Sequence, residues 1–280
     1  MAFHQIIKMF YYSARLKVSY VYIAKLFNIL SLLICLYLIP SWGYADSPIV
    51  AVASNLTTPI SEIADKFKAD TGETIRLSFG SSGNLSRQIV QGAPYDMFIT
   101  ASTQYIDFLI EQKITIKHKF EYIEGEIGFF VPTGSSFIHH KTAESIIGAI
   151  KFGDQGRIAI ANPEHAPYGI AAMEALQTAG IWAINLNSLL LAESVAQIVP
   201  YIHTGNLDLA IIPKSFILQA KLDGSGTYIP INPLWHNRIS QYIVILKDDN
   251  PVTFSFSDYL ASNHAVSILE KYGYRYTGNN

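Results

Sequence analysis

The stretch Ser78-Phe79-Gly80-Ser81-Ser82-Gly83-Asn84, followed by Leu85-Ser86-Arg87-Gln88-Ile89-Val90, decides how this chain is read. A β-branched and aromatic run from Thr74 to Phe79 enters it, and a helical pattern leaves it. A strand that turns through glycines and hydroxyls into a helix offers backbone N–H groups, serine donors and the positive end of a helix dipole. Such a turn suits an anion. No Lys, Arg, Asp or Glu lies between Ser78 and Asn84, so an anion there meets neutral donors only. Taken alone, the loop reads equally well as a helix start capped by Ser or Asn.

Strand and helix patterns alternate around it. Ile49 to Ala53 is a buried strand, and Thr57-Thr58-Pro59 opens a helix with a hydroxyl cap and Pro in the first turn. Ile60, Ile63, Ala64 and Phe67 share one face of that helix, which Gly72 ends. Leu85 to Val90 is a short helix, Met97 to Thr100 a strand, and Ser102 to Gln112 a helix. After Ile127 to Val131 comes Pro132-Thr133-Gly134, a crossing point between two lobes. A second set follows: strand Arg157 to Ala161, helix Gly169 to Thr178, helix Ser194 to Ile202 and strand Leu207 to Ile212. Ile239 to Leu246 is a late strand and Phe254 to Tyr272 a helix, so the chain crosses between lobes twice. This is an α/β pattern, each lobe a mostly parallel sheet flanked by helices.

The first 45 residues read separately. Lys8, Arg15, Lys17 and Lys25 give a basic start, Leu26 to Ile39 an apolar run, and Gly43-Tyr44-Ala45 the small residues of a cleavage site before Asp46. This is a secretory signal peptide with a long basic region. Its removal takes four of the 20 basic residues and none of the 22 acidic ones, for a net charge near −6. It also takes Cys35, the single cysteine, and with it any disulfide or thiolate chemistry. No basic stripe suggests a nucleic-acid partner.

Other segments could share the anion's cleft. Ser54-Asn55 closes the first strand, where ligands of open parallel sheets bind. In the second lobe Asn162-Pro163-Glu164-His165-Ala166-Pro167-Tyr168-Gly169 turns from strand to helix, and Glu193-Ser194-Val195 opens the next helix with Ser194 as cap and the Val195 N–H free. Each alone also reads as a structural turn. Gly80-Ser81-Ser82-Gly83 is not a nucleophile elbow, no phosphate P-loop occurs, and no histidine pair has zinc spacing. His139-His140 reads as a solvated loop. His165 reads as a surface residue, or one that orients the Pro-Tyr-Gly turn.

Together with Gly92-Ala93-Pro94-Tyr95-Asp96 and Lys271-Tyr272-Gly273-Tyr274, these segments resemble the periplasmic molybdate-binding proteins of ABC transporters, from about Ile49 to Tyr274. The resemblance implies the two-lobed fold of type II solute-binding proteins: a signal peptide at 1–45, lobe 1 at 46–130 with 240–280, lobe 2 at 131–239, and hinge strands between. It implies an oxyanion, molybdate and tungstate, held by Ser54, Asn55, Ser82, Tyr168 and the backbone N–H of Val195. Part of that family has Ala-Ser in place of Ser54-Asn55, a small residue in place of Tyr168, and a ligating tyrosine near Pro213. The chain therefore resembles the other branch, and no ligand is expected from Pro213. A monomeric periplasmic protein is implied, without cofactor, resident metal or catalysis, delivering its ion to a permease of the inner membrane. The alternatives are a receptor for sulfate or another oxyanion, and a secreted serine hydrolase using Ser82 with His165.

Overall fold

The computed structural model describes residues 47–154, 156–185, 189–219, 222 and 224–278. The chain divides into two units, Met1–Ala45 and Asp46–Asn280, and every described strand and helix lies in the second. The signal peptide expected at 1–45 lies outside the described residues.

The first half runs β1 (Ile49–Ala53), α1 (Thr57–Thr71), β2 (Arg76–Gly80), α2 (Ser82–Val90), β3 (Met97–Thr100), α3 (Gln104–Glu111) and β4 (His118–Gly125). Then come β5 (Ile127–Pro132), α4 (Ala143–Lys151), β6 (Ile158–Ala161), α5 (Pro167–Thr178), α6 (Trp182–Asn185), β7 (Leu189–Ala192), α7 (Ile198–His203), β8 (Leu209–Pro213), α8 (Ser215–Gln219) and β9 (Gly226–Pro230). The chain ends with β10 (Ile239–Ile245), α9 (Pro251–Leu260), α10 (Asn263–Lys271) and β11 (Arg275–Tyr276). Two sheets result, ordered β11-β4-β10-β3-β1-β2 and β7-β6-β8-β5-β9.

Both sheets are mixed, which corrects the expectation of mostly parallel ones. β1 is parallel to β2 and β3, and β6 to β7 and β8. β10 is antiparallel to β3 and β4, β11 to β4, and β5 to β8 and β9. The reason is the crossing itself. β5 and β10 enter their sheets from the other one, at the edge where the parallel strands end, so they run the opposite way. β5 pairs wholly within the second sheet. The first crossing therefore falls at Gly125–Glu126, earlier than the boundary expected at residue 130. The second falls in 232–238.

Alternation along the strands builds the first core. Val50 and Val52 pack with Met97, Ile99, Ile243 and Ile245 under Ile60, Ile63 and Phe67 of α1. Ala51, Phe98 and Val244, pointing to the other face, pack with Leu85, Ile89, Ile106 and Leu109 of α2 and α3. With both faces covered, β1 is apolar throughout and β3 is apolar up to its last residue, Thr100, as strands buried on both faces tend to be. The second lobe has a single core around Phe129, Val131, Ile158, Ile160, Ala172, Leu209 and Ile211.

Several elements depart from expectation. α1 starts without a side-chain cap: the Thr57 hydroxyl instead donates back to the Ser54 carbonyl at 2.8 Å. The helix expected over 254–272 is two, because Ser262 caps α10 by accepting from the Ala265 N–H at 3.2 Å. Half-exposed β4 and short β7 and β9 carry little local signal, whereas α4 shows a clear helical spacing, Ala143, Ile146, Ile147 and Ile150 on its buried face behind the Thr142 cap; all four add to the elements expected from sequence. The helix expected from Ser194 is a 3-10 turn, Val195–Gln197, followed by α7.

Phe67 is fully buried, with edge-on contacts to Phe256 at 5.2 Å and Tyr259 at 5.3 Å between ring centroids. Phe67→Ala should therefore cost about 3–5 kcal/mol of unfolding free energy by urea titration. A cost below about 1 kcal/mol would show that this cluster does not anchor α1 and α9.

Candidate functional site

Four parallel strands deliver the candidate residues. β1 ends in a 3-10 turn, Ser54–Leu56, and β2 ends at the loop that starts α2. In the second lobe β6 leads to Tyr168, the second residue of α5 behind Pro167, and β7 leads to Val195, the first residue of its 3-10 turn. The carboxyl ends of β1, β2, β6 and β7 thus face one space, the usual place for a ligand in such sheets. Ala53, Ser54, Asn55, Ser81, Ser82, Ala166, Pro167, Tyr168 and Val195 line a narrow cavity of about 10 Å³ between the closed lobes. All five residues expected at the site are among them and all are buried. Pro213, from which no ligand was expected, is not.

None of the lining side chains is charged. Ser81 caps α2 by accepting from the Asn84 N–H. The Ser82 hydroxyl oxygen accepts from the Ala101 N–H at 3.2 Å, which leaves its hydrogen to donate. Ser194 precedes the Val195 turn without making a side-chain cap, and the Gln197 N–H closes the turn on the Ser194 carbonyl, which leaves the first N–H, that of Val195, to face the cavity as a donor. Burial pushes the Tyr168 phenol well above its ordinary pKa, with Tyr274 next to it adding to the shift. The phenol therefore stays a donor through neutral and mildly alkaline pH.

Behind the cavity lies a polar network that sequence reasoning missed. The Asn55 side-chain amide donates to Gln241 Oε1 at 2.9 Å and to the Tyr274 hydroxyl at 3.0 Å, with Tyr168 at 3.4 Å. Gln241 Nε2 donates to the Tyr168 hydroxyl at 3.3 Å. Gln241 has no exposed surface. It lies with Ser240 inside the otherwise apolar run Ile239-Ser240-Gln241-Tyr242-Ile243-Val244-Ile245, and the pairing with β4 slips between Gln241 and Tyr242. A slip of this kind re-aims a side chain, and the polar break in the run was its legible sign. Gly125, at the first crossing, leaves room for Tyr168: a Cβ there would sit 2.0 Å from the phenol oxygen.

At the rim the lobes touch directly. The Gly83 N–H donates to the His165 carbonyl at 2.9 Å. Asn84 Nδ2 donates to Glu193 Oε2 at 3.2 Å, and Arg87 donates to Asn84. His165 Nε2 lies 3.0 Å from that same Glu193 carboxylate oxygen. The expectation of a surface His165 is corrected, since the residue is only 6 % exposed. What covers it is α2 of the other lobe, a partner invisible from the local sequence. His139 is exposed, as expected of the loop. Among the described residues no cluster of His, Cys, Asp and Glu could hold a metal ion, and no helix is long and apolar enough to cross a membrane.

Residues 49–275 match the family model for bacterial extracellular solute-binding proteins. The chain belongs to that family. A molybdate-binding protein of Azotobacter vinelandii is 31 % identical over 228 residues, 80 % of this chain and 88 % of the relative. One from Escherichia coli is 30 % identical over 226 residues, covering 80 % and 87 %. The solved structure of the Azotobacter vinelandii periplasmic molybdate-binding protein superposes with a TM-score of 0.72 at 27 % identity, covering 81 % of this chain and 98 % of that one. A sulfate-binding protein of Mycobacterium tuberculosis shares the fold, with a TM-score of 0.69 at 12 % identity over 83 % and 88 % of the two chains. All of these relatives bear the names of binding proteins.

A Cβ at Gly83 would lie 2.7 Å from the His165 carbonyl oxygen. Gly83→Ala should therefore hold the lobes apart and raise the radius of gyration in small-angle scattering. The thermal midpoint should hold or rise, because Ala suits a helix better than Gly. An unchanged radius would contradict this reading of the rim contact.

Proposed function

We propose that this protein is the substrate-binding subunit of an ABC importer that captures molybdate, and tungstate with it, between its two lobes. The observation that carries the reading is the cavity: buried, shared by both lobes and lined by neutral groups only. A tetrahedral dianion without protons has acceptors only, so its site needs donors and no carboxylate. Ser54, Ser82, Tyr168, Asn55 through its backbone N–H at the start of the 3-10 turn, and the Val195 N–H supply them. Burying a charge without a counter-ion is costly. Charge-assisted hydrogen bonds, each contributing about 1.5–3 kcal/mol, and converging helix ends offset that cost. Five such bonds support micromolar or tighter affinity after closure.

The relatives named above support the choice of molybdate. On this reading residues 1–45 are cleaved on export, the mature monomer works in the periplasm, and an inner-membrane permease receives the ion. The segments around Gly125–Glu126 and 232–238 act as the hinge between the lobes. No catalytic step is proposed: the Ser82 oxygen is occupied by the Ala101 N–H, and the His165 ring faces Glu193 rather than a serine.

Calorimetry of residues 46–280 with molybdate, tungstate, sulfate and phosphate tests this directly. Molybdate and tungstate should bind at micromolar Kd or below, and sulfate and phosphate at least about a hundredfold more weakly, a gap of about 2.7 kcal/mol. Sulfate binding as well as molybdate would overturn the assignment. Asn55→Asp sets a carboxylate beside a dianion and should weaken molybdate at least about a hundredfold. Near-normal affinity would remove Asn55 from the site. With no carboxylate in the cavity and the Tyr168 phenol kept protonated, affinity should stay flat from about pH 6 to about pH 9. It should fall only where phenols begin to ionise. A tenfold change per pH unit within that window would show that a titrating group faces the ion.

A further inference from the structure

We propose that Tyr274 is a positioning residue for the anion site, tying the Ser54–Asn55 turn to the second lobe. The inference rests on the oxyanion reading above and adds residues to it that touch no ion.

The placement of Tyr274 comes from the end of α10. Gly273 follows the C-cap residue Tyr272 with φ +80°, a left-handed conformation natural to glycine. Its N–H donates to the Glu270 carbonyl at 2.8 Å, and the Tyr274 N–H reaches back to the Leu269 carbonyl at 3.1 Å. This paired closure turns the chain sharply and sends the residue after glycine inward. Tyr274 lands in the first-lobe core, 4 % exposed, with its hydroxyl at the base of the cleft.

The hydroxyl then joins Asn55 to the second lobe. It donates its one hydrogen to the Asn55 backbone carbonyl at 2.7 Å. It accepts from the Asn55 side-chain amide at 3.0 Å. At 2.9 Å lies the Ser215 hydroxyl, the first residue of α8 in the second lobe. With the phenol hydrogen committed to Asn55, Ser215 is the donor in that pair. One oxygen thus grips Asn55 by backbone and side chain and anchors it to the other lobe. Lys214 strengthens the same junction: its stem packs 3.5 Å from where a Gly273 Cβ would be, and its ammonium pairs with Glu126 at 3.1 Å. Asn55 reaches Tyr168 directly, at 3.4 Å, and through Gln241. The chain of contacts therefore runs from the second lobe through the first and back to a second-lobe ligand. Fixing this turn before the ion arrives lowers the ordering cost of binding.

The test compares wild type, Tyr274→Phe, Ser215→Ala and the double variant, measuring molybdate Kd, association and dissociation rates and ligand-free melting. Tyr274→Phe keeps the ring and removes only the oxygen. It should weaken molybdate by about ten- to a hundredfold, chiefly through faster dissociation. Ser215→Ala should weaken it several-fold, and the double variant should be no worse than Tyr274→Phe, because both act through one oxygen. If wild type binds and Tyr274→Phe binds equally well, the proposal fails even where melting is lowered, since the role is then structural only. If Tyr274→Phe does not fold, Ser215→Ala decides, and unchanged dissociation in it overturns the proposal. Wild type that binds no oxyanion would instead fail the parent reading.

Discussion

An anion taken out of water must find donors on every side, and two lobes that end their parallel strands against each other can supply them without a single charge. Four strand ends, at Ala53, Gly80, Ala161 and Ala192, set short turns and helix starts around one cavity. The rest of the structure follows from holding those ends in register. Apolar β1 and β3 are buried on both faces, so their positions are fixed by packing and not by the ligand. The antiparallel strands β5 and β10 return through the crossings and lock each sheet to the chain that enters it.

The neutral cavity is separated from charged groups on both sides. At the rim Glu193 is met by Asn84 and His165, so its charge is engaged at the mouth rather than inside. At the crossing, burial works against ionisation of Glu124, yet Arg238 and Arg275 prevail and hold its carboxyl below the usual range. Arg238 also reaches Glu121 at 3.2 Å. The arginines of these pairs are exposed to solvent, which limits what the pairs contribute to stability. Their placement keeps these charges out of the cavity.

How much of this was legible depends on how local each signal is. The strand-to-helix turns at Ser54-Asn55, Ser81-Ser82, Pro167-Tyr168 and Ser194-Val195 each carry their own chemistry in a few residues, so they could be read before any fold was known. The antiparallel members of each sheet have no local sign, because strand direction at a crossing depends on which lobe the chain comes from. His165 was misplaced for a similar reason: its cover is Gly83, distant in sequence. Gln241 and Tyr274 show a third case. A polar residue in an apolar strand and a glycine at a helix end were both visible, yet their partner Asn55 lies 186 and 219 residues away.

The central claim is that one dianion sits among neutral donors from both lobes. Crystals of residues 46–280 grown with molybdate, with an anomalous-difference map collected at the molybdenum edge, test it most directly. The account predicts one strong peak in the cavity, its oxygens within hydrogen-bond distance of Ser54, Asn55, Ser82, Tyr168 and Val195, with no carboxylate in contact. A peak elsewhere, or an ion whose oxygens touch a carboxylate or a cationic side chain, would contradict it.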